Sequence, residues 1–178
     1  MSWSRKLLES PKKPVLIALT VVGALGVLLI GRQMPVRGGD ILALEFVWTP
    51  EQALALLDAW GPLKYDAARM SVWVDFPFIA AYATLLMGLV LLAARASRGG
   101  LQRLGLGLAL VPWLAGLLDV VENLCLLRIL DGPADPPGPL VTMLAGTCAT
   151  AKFLGVIACA GYVLVATGAW ALGLVRGR

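Results

Sequence analysis

Leu104–Leu118 reads LGLGLALVPWLAGLL, and Asp119-Val120-Val121-Glu122-Asn123 follows it directly. The first part has no charged side chain and no period-2 alternation. Runs of about 20 mainly apolar residues are what a helix needs to cross a bilayer. The second part puts two carboxylates and an amide at i, i+3 and i+4, on one side of that helix. The fold and the candidate site are both read outward from this junction.

Three other stretches repeat the apolar pattern. Val15–Ile30 (VLIALTVVGALGVLLI) follows Lys12-Lys13. It is long for the apolar part of a secretory signal and no A-x-A site follows it, so an uncleaved first span fits better. The spans predicted are 15–31, 72–94, 101–130 and 140–175, a single membrane domain covering residues 1–178. Hydrophobic residues make up 59% of the chain and mean hydropathy is +0.83, against about 45–50% apolar in soluble domains. The fold class expected is all-α: a four-transmembrane-helix bundle with a helical extracytoplasmic cap in the first connection.

That connection, 32–70, is the one long hydrophilic segment. Thr49-Pro50-Glu51-Gln52 starts a helix, with Thr49 as N-cap, Pro50 at the first position and Gln52 completing a capping box. Ala53, Leu54, Leu57 and Trp60 continue it at helical spacing, with Glu51 and Asp58 on another face. Gly61-Pro62 ends it. The proline-rich turn Asp131–Pro139 (DGPADPPGP) separates the third and fourth spans.

Orientation follows from lysine and arginine. Arg5, Lys6, Lys12 and Lys13 precede the first span. Arg95, Arg98 and Arg103 surround the second connection, and Arg176 and Arg178 end the chain. The 131–139 turn has no basic residue. Both termini are therefore expected in the cytoplasm, of a multi-pass protein in an inner (cytoplasmic) or plasma membrane. Trp3, Trp48, Trp60, Trp73 and Trp170 lie at span ends like an interfacial belt. Trp113 lies deep in the third span, packing or lining a cavity.

Several chemistries are excluded. The chain has no histidine, which removes imidazole-ligated haem or zinc and imidazole acid–base catalysis. Cys125, Cys148 and Cys159 form no C-x-x-C pair. The glycines at 105, 107 and 116 make no phosphate loop, because no strand precedes them. Basic residues scattered over span ends make no nucleic-acid surface. No metal, cofactor or catalytic residue is assigned.

Charges inside spans cost about 2.5–3.5 kcal/mol each near the helix centre, so their positions call for a reason. Asp75 lies early in the second span, Asp119 and Glu122 late in the third, and Lys152 in the first part of the fourth. Their depths agree, near the outer edge. Tyr82 lies seven residues after Asp75, and Ala145, Cys148, Ala149, Lys152 and Gly155 form a small-residue stripe that lets helices approach. Asp75, Tyr82, Asp119, Glu122, Asn123 and Lys152 are thus expected to converge inside the bundle. The cluster could be structural, a lysine holding three helices in register. The alternative is a site, for a ligand, for a cation or proton, or for acid–base chemistry.

Folding the chain about Pro136-Pro137 brings Glu122 opposite Ala151, beside Lys152. It also sets Cys125 level with Cys148, a candidate disulfide. The third and fourth helices should run past the membrane as a hairpin, packing on each other and on the Pro50–Trp60 helix.

The order of elements, with Asp75-Phe76-Pro77-Phe78 placing an acid ahead of a Pro-Phe pair, resembles the EXPERA membrane proteins, the sterol isomerase group. The resemblance implies helices that hold a sterol-like molecule between them. The first span has no acidic residue and the chain no histidine, so neither isomerase chemistry nor membership follows. Two functions are expected. One is a non-enzymatic accessory or interaction subunit, or a binding module with a polar site near the outer leaflet. The other is a protein that binds or transforms a lipid or sterol-like molecule with its carboxylates. The partners implied are the lipid bilayer, with a membrane-protein partner or a hydrophobic small molecule, and no nucleic acid.

Overall fold

The computed structural model describes residues 7–131 and 135–173. Trp3, Arg5, Lys6, Arg176, Arg178, the expected end of the fourth span at Val175 and residues 132–134 of the proline turn lie outside the described residues. The described residues form helices α1 (Lys13–Gly31), α2 (Gly39–Glu45), α3 (Pro50–Trp60), α4 (Pro62–Ala96), α5 (Gly99–Leu108), α6 (Val111–Ile129) and α7 (Pro139–Ala171). They contain no strand. α1, α4, α5 with α6, and α7 are each long and apolar enough to cross a membrane, so this is a membrane-embedded protein with four candidate spans.

The first connection is more helical than the sequence suggests. α3 starts as read: Gln52 N donates to Thr49 Oγ1 at 3.2 Å, and Gln52 Oε1 accepts from Trp48 N at 2.8 Å. Gly61, at φ 72°, ends α3 and is also the N-cap of α4. Residues 62–70, read as loop, are therefore the first turns of α4. A proline stops a helix before it but is well placed in the first turn of the next, where its missing N–H costs nothing. α4 then runs unbroken through Pro77 for 35 residues, about 52 Å.

The third span, read as one helix over 101–130, is two. Pro112 offers no N–H to the Leu108 carbonyl and its ring crowds the preceding turn. The chain breaks at Ala109-Leu110, and the N–H groups of Trp113 and Leu114 both return to the Leu110 carbonyl at 3.1 Å. The freed Leu108 carbonyl faces Cys159 Sγ at 3.9 Å. Trp113 neither fills the core nor lines a cavity described below, and is 41% exposed.

α1 packs antiparallel along α4. A methyl built at Gly88 would lie 2.1 Å from Thr20 Oγ1, and one at Gly23 would lie 2.7 Å from Leu85 N, so the backbones meet where side chains are absent. Gly31 stands opposite Phe78. Residues 62–76 of α4 therefore extend past the end of α1.

Two apolar cores result. One joins Leu16, Val90, Leu91, Ala94, Leu106, Cys159 and Tyr162 between the spans. The other joins Leu44, Ala53 and Leu57 of α2 and α3 to Val72, Leu126, Ile129 and Ala145 at the ends of α4, α6 and α7. The α6–α7 hairpin thus continues beyond the end of α1 and packs there on α3, as its surplus apolar length requires. The polar cluster lies between these cores.

Candidate binding site

Lys152 is the centre. α7 presents it from the stripe of Ala145, Cys148 and Ala149, all buried, and its Nζ lies 2.7 Å from Asp119 Oδ1, 2.9 Å from Glu122 Oε2 and 3.3 Å from Glu45 Oε1. Side-chain exposures are 7% for Lys152, 5% for Asp119, 0% for Glu122 and 14% for Glu45, so the ammonium is buried together with its counter-charges. An ammonium has three hydrogens, and three carboxylates surround this one.

Asp119 is held from its other side by Tyr82, whose hydroxyl donates to Oδ2 at 2.9 Å. Asn123 Nδ2 donates to Asp75 Oδ2 at 2.7 Å. The six residues singled out in the sequence are therefore in two linked groups. Tyr82, Asp119, Glu122 and Lys152 touch in one, and Asp75 and Asn123 pair in the other. Asp75 has no ion pair with Lys152.

Glu45 is the member that the sequence reading missed. It ends α2, a helix of seven residues that starts at Gly38 without a side-chain cap. A signal was present: in Ile41–Trp48 (ILALEFVW) Glu45 is the only charged residue. Phe46 stacks on Phe153, next to Lys152, with ring centroids 5.6 Å apart. Burial pushes the Glu45 carboxyl above the usual carboxylate range, against the opposing pull of the Lys152 ammonium; the nearby Asp119 adds to the rise.

The cluster has more acceptors than donors. Glu45 Oε2 and Glu122 Oε1 are buried without a hydrogen-bond partner. Glu122 Oε2 is at ion-pair distance from Nζ but not in hydrogen-bond geometry.

Two cavities adjoin these residues. The first, about 360 Å³, has Asp75, Tyr82, Asp119 and Lys152 at one end and Val27, Leu85, Leu86, Leu89 and Val156 along its length, between α1, α4 and α7. The second, about 280 Å³, is lined by Met34, Ile41, Leu42, Ser71 and Asn123 among others, under the 34–45 segment. Glu45, Asp75, Phe78 and Phe153 line both.

Cys125 and Cys148 are not disulfide-bonded. Both are free, buried thiols. Level height on neighbouring helices does not supply the Cβ geometry a disulfide needs, and Cys125 packs as a small apolar side chain in the α2–α3 core. Trp48, expected in an interfacial belt, instead seats its ring on α7, where a methyl at Gly146 would meet it at 2.7 Å.

No family model, curated protein or solved structure matches the chain. The likeness to the EXPERA proteins rests on the Asp75–Phe78 stretch and the order of elements alone.

Proposed function

We propose that this protein is a membrane-embedded binding module for an amphiphilic molecule, with the apolar part in the groove between α1, α4 and α7 and the polar end at the carboxylates. The observation that carries the reading is the lining of the larger cavity, which passes from Leu89 and Val156 to Asp75, Asp119 and Lys152 within one space. Pockets for small molecules are mostly apolar with a few converging polar groups. Between the two functions expected from the sequence, a cavity of this kind favours ligand binding over an accessory subunit. Holding is also favoured over transformation, because Lys152 is already engaged by three carboxylates.

The charge bias of the connections supports an orientation with both termini cytoplasmic. In that orientation α2 and α3 form an extracytoplasmic cap, and the cluster lies toward the outer leaflet.

Native mass spectrometry after extraction in a mild detergent tests the reading. The expected result is a stoichiometric small amphiphile on the monomer, lost when Leu85→Trp fills the groove. A stoichiometric protein partner with no bound amphiphile would overturn it in favour of the accessory subunit.

A further inference from the structure

The proposed groove ends on an unbalanced set of charges, and this imbalance specifies a ligand. Asp75, Asp119, Glu45 and Glu122 face a single ammonium, Lys152. Three of them lie within 3.3 Å of its Nζ. Asp75 is the fourth. Its side-chain partner is the neutral Asn123 amide, and it lines both cavities at their junction. A second observation points the same way. The Glu122 side chain is fully buried and aimed at the Lys152 ammonium that lines the groove, yet Glu122 Oε1 has no donor. Glu45 Oε2, at the same junction, has none either. Lys152 has no fourth hydrogen to give.

Resting on the amphiphile-binding reading above, we infer that the ligand is a long-chain amine whose N–H-bearing ammonium seats against Asp75. A positive charge there is the complement to the carboxylate excess. The N–H groups matter as much as the charge. A dehydrated carboxylate oxygen needs a donor, and a trimethylammonium head has none. A quaternary head would rely on aromatic faces. Phe78 and Phe153 are the rings at the junction, and Phe153 already has Lys152 Nζ 5.2 Å from its centroid. A phosphate next to the amine is disfavoured by the same carboxylates, which separates a simple long-chain amine from an aminophospholipid.

Photocrosslinking in dodecyl maltoside micelles tests this. Diazirine-bearing hexadecylamine and diazirine-bearing hexadecanol serve as probes, with labelled peptides mapped by mass spectrometry. Labelling is expected around Val27, Leu85, Leu89 and Val156. Unlabelled hexadecylamine should displace the amine probe at least tenfold more effectively than hexadecyltrimethylammonium, hexadecanol or lysophosphatidylethanolamine. Asp75→Asn should remove that advantage while hexadecanol labelling of the same peptides persists, which also reports that the variant is folded. Equal competition by any of the other three overturns the amine inference, and labelling by the hexadecanol probe then leaves the groove reading standing. Absence of groove labelling by either probe overturns both.

Discussion

Lys152 and Asp119 meet at 2.7 Å across the α6–α7 hairpin with side chains only 7% and 5% exposed, and of the two further carboxylates on the same ammonium Glu122 is fully buried and Glu45 is 14% exposed. A single cation on α7 thus faces acids from two other helices, α2 and α6, and ties the three at one point.

Removing that cation should be costly. Lys152→Met leaves Asp119, Glu122 and Glu45 with no counter-charge, and breaking a buried pair in this way costs about 3–5 kcal/mol. Adding Glu122→Gln should recover part of the loss and no more, because two carboxylates remain. Denaturation in detergent measures both. If the single and double variants unfold alike, Glu122 does not depend on Lys152.

Glu45 gives the cluster a pH dependence. Burial raises its carboxyl above the ordinary range, so the fold favours its protonated form more than the unfolded chain does. The sign follows: its contribution is full below the ordinary carboxylate pKa and is lost as pH rises through the elevated one. Glu45→Gln should therefore gain stability relative to the parent as pH rises above the ordinary carboxylate value of about 4.3. A difference in melting temperature that stays flat or shrinks as pH rises would contradict the assignment.

The α1–α4 contact allows no added carbon at Gly88. Gly88→Ala would place its methyl 2.1 Å from Thr20 Oγ1, the hydroxyl that donates to Leu16 O at 2.7 Å. Overpacking of this kind costs about 1–3 kcal/mol. Thr20→Ala in the same molecule removes the oxygen and leaves Thr20 Cβ, 3.0 Å away, as the nearest side-chain atom, so the pair should unfold later than Gly88→Ala alone. No recovery in the double variant would mean that the helices separate instead of clashing.

Cysteine labelling tests the orientation. In a background lacking the three native cysteines, Asp58→Cys on the exposed face of α3 should react with a membrane-impermeant maleimide on intact cells. Arg98→Cys, also exposed, should react only after permeabilisation. Reversed reactivity would invert the charge-bias assignment and move the cluster to the opposite leaflet.

Much of this arrangement was legible in residue order, for physical reasons that differ by element. The spans announce themselves through apolar length, a signal that bilayer thickness makes strong. The Glu122–Lys152 contact follows from folding a helical hairpin about Pro136-Pro137, since the rise per residue is fixed. Glu45 was harder, because seven residues show too little periodicity to mark a helix and Gly38 supplies no capping side chain. Pro112 was ambiguous in a different way. A proline in a span reads the same whether the helix bends or breaks, and here the Leu108 carbonyl has an outside contact in Cys159. Pro62 was misread because a stop signal and a start signal coincide on adjacent residues.

The Glu122–Lys152 contact also bears on how the chain is made. Taken singly, α6 would bring two carboxylates into the lipid and α7 a lone ammonium, each a poor candidate for release from the insertion machinery. Joined by the short proline turn, they bring opposite charges to the same depth within one unit. The insertion step should therefore be concerted, with α6 waiting beside the translocon until α7 has been synthesised. Arresting synthesis before Lys152 would then leave α6 crosslinkable to the translocon, although it is apolar enough to insert along most of its length.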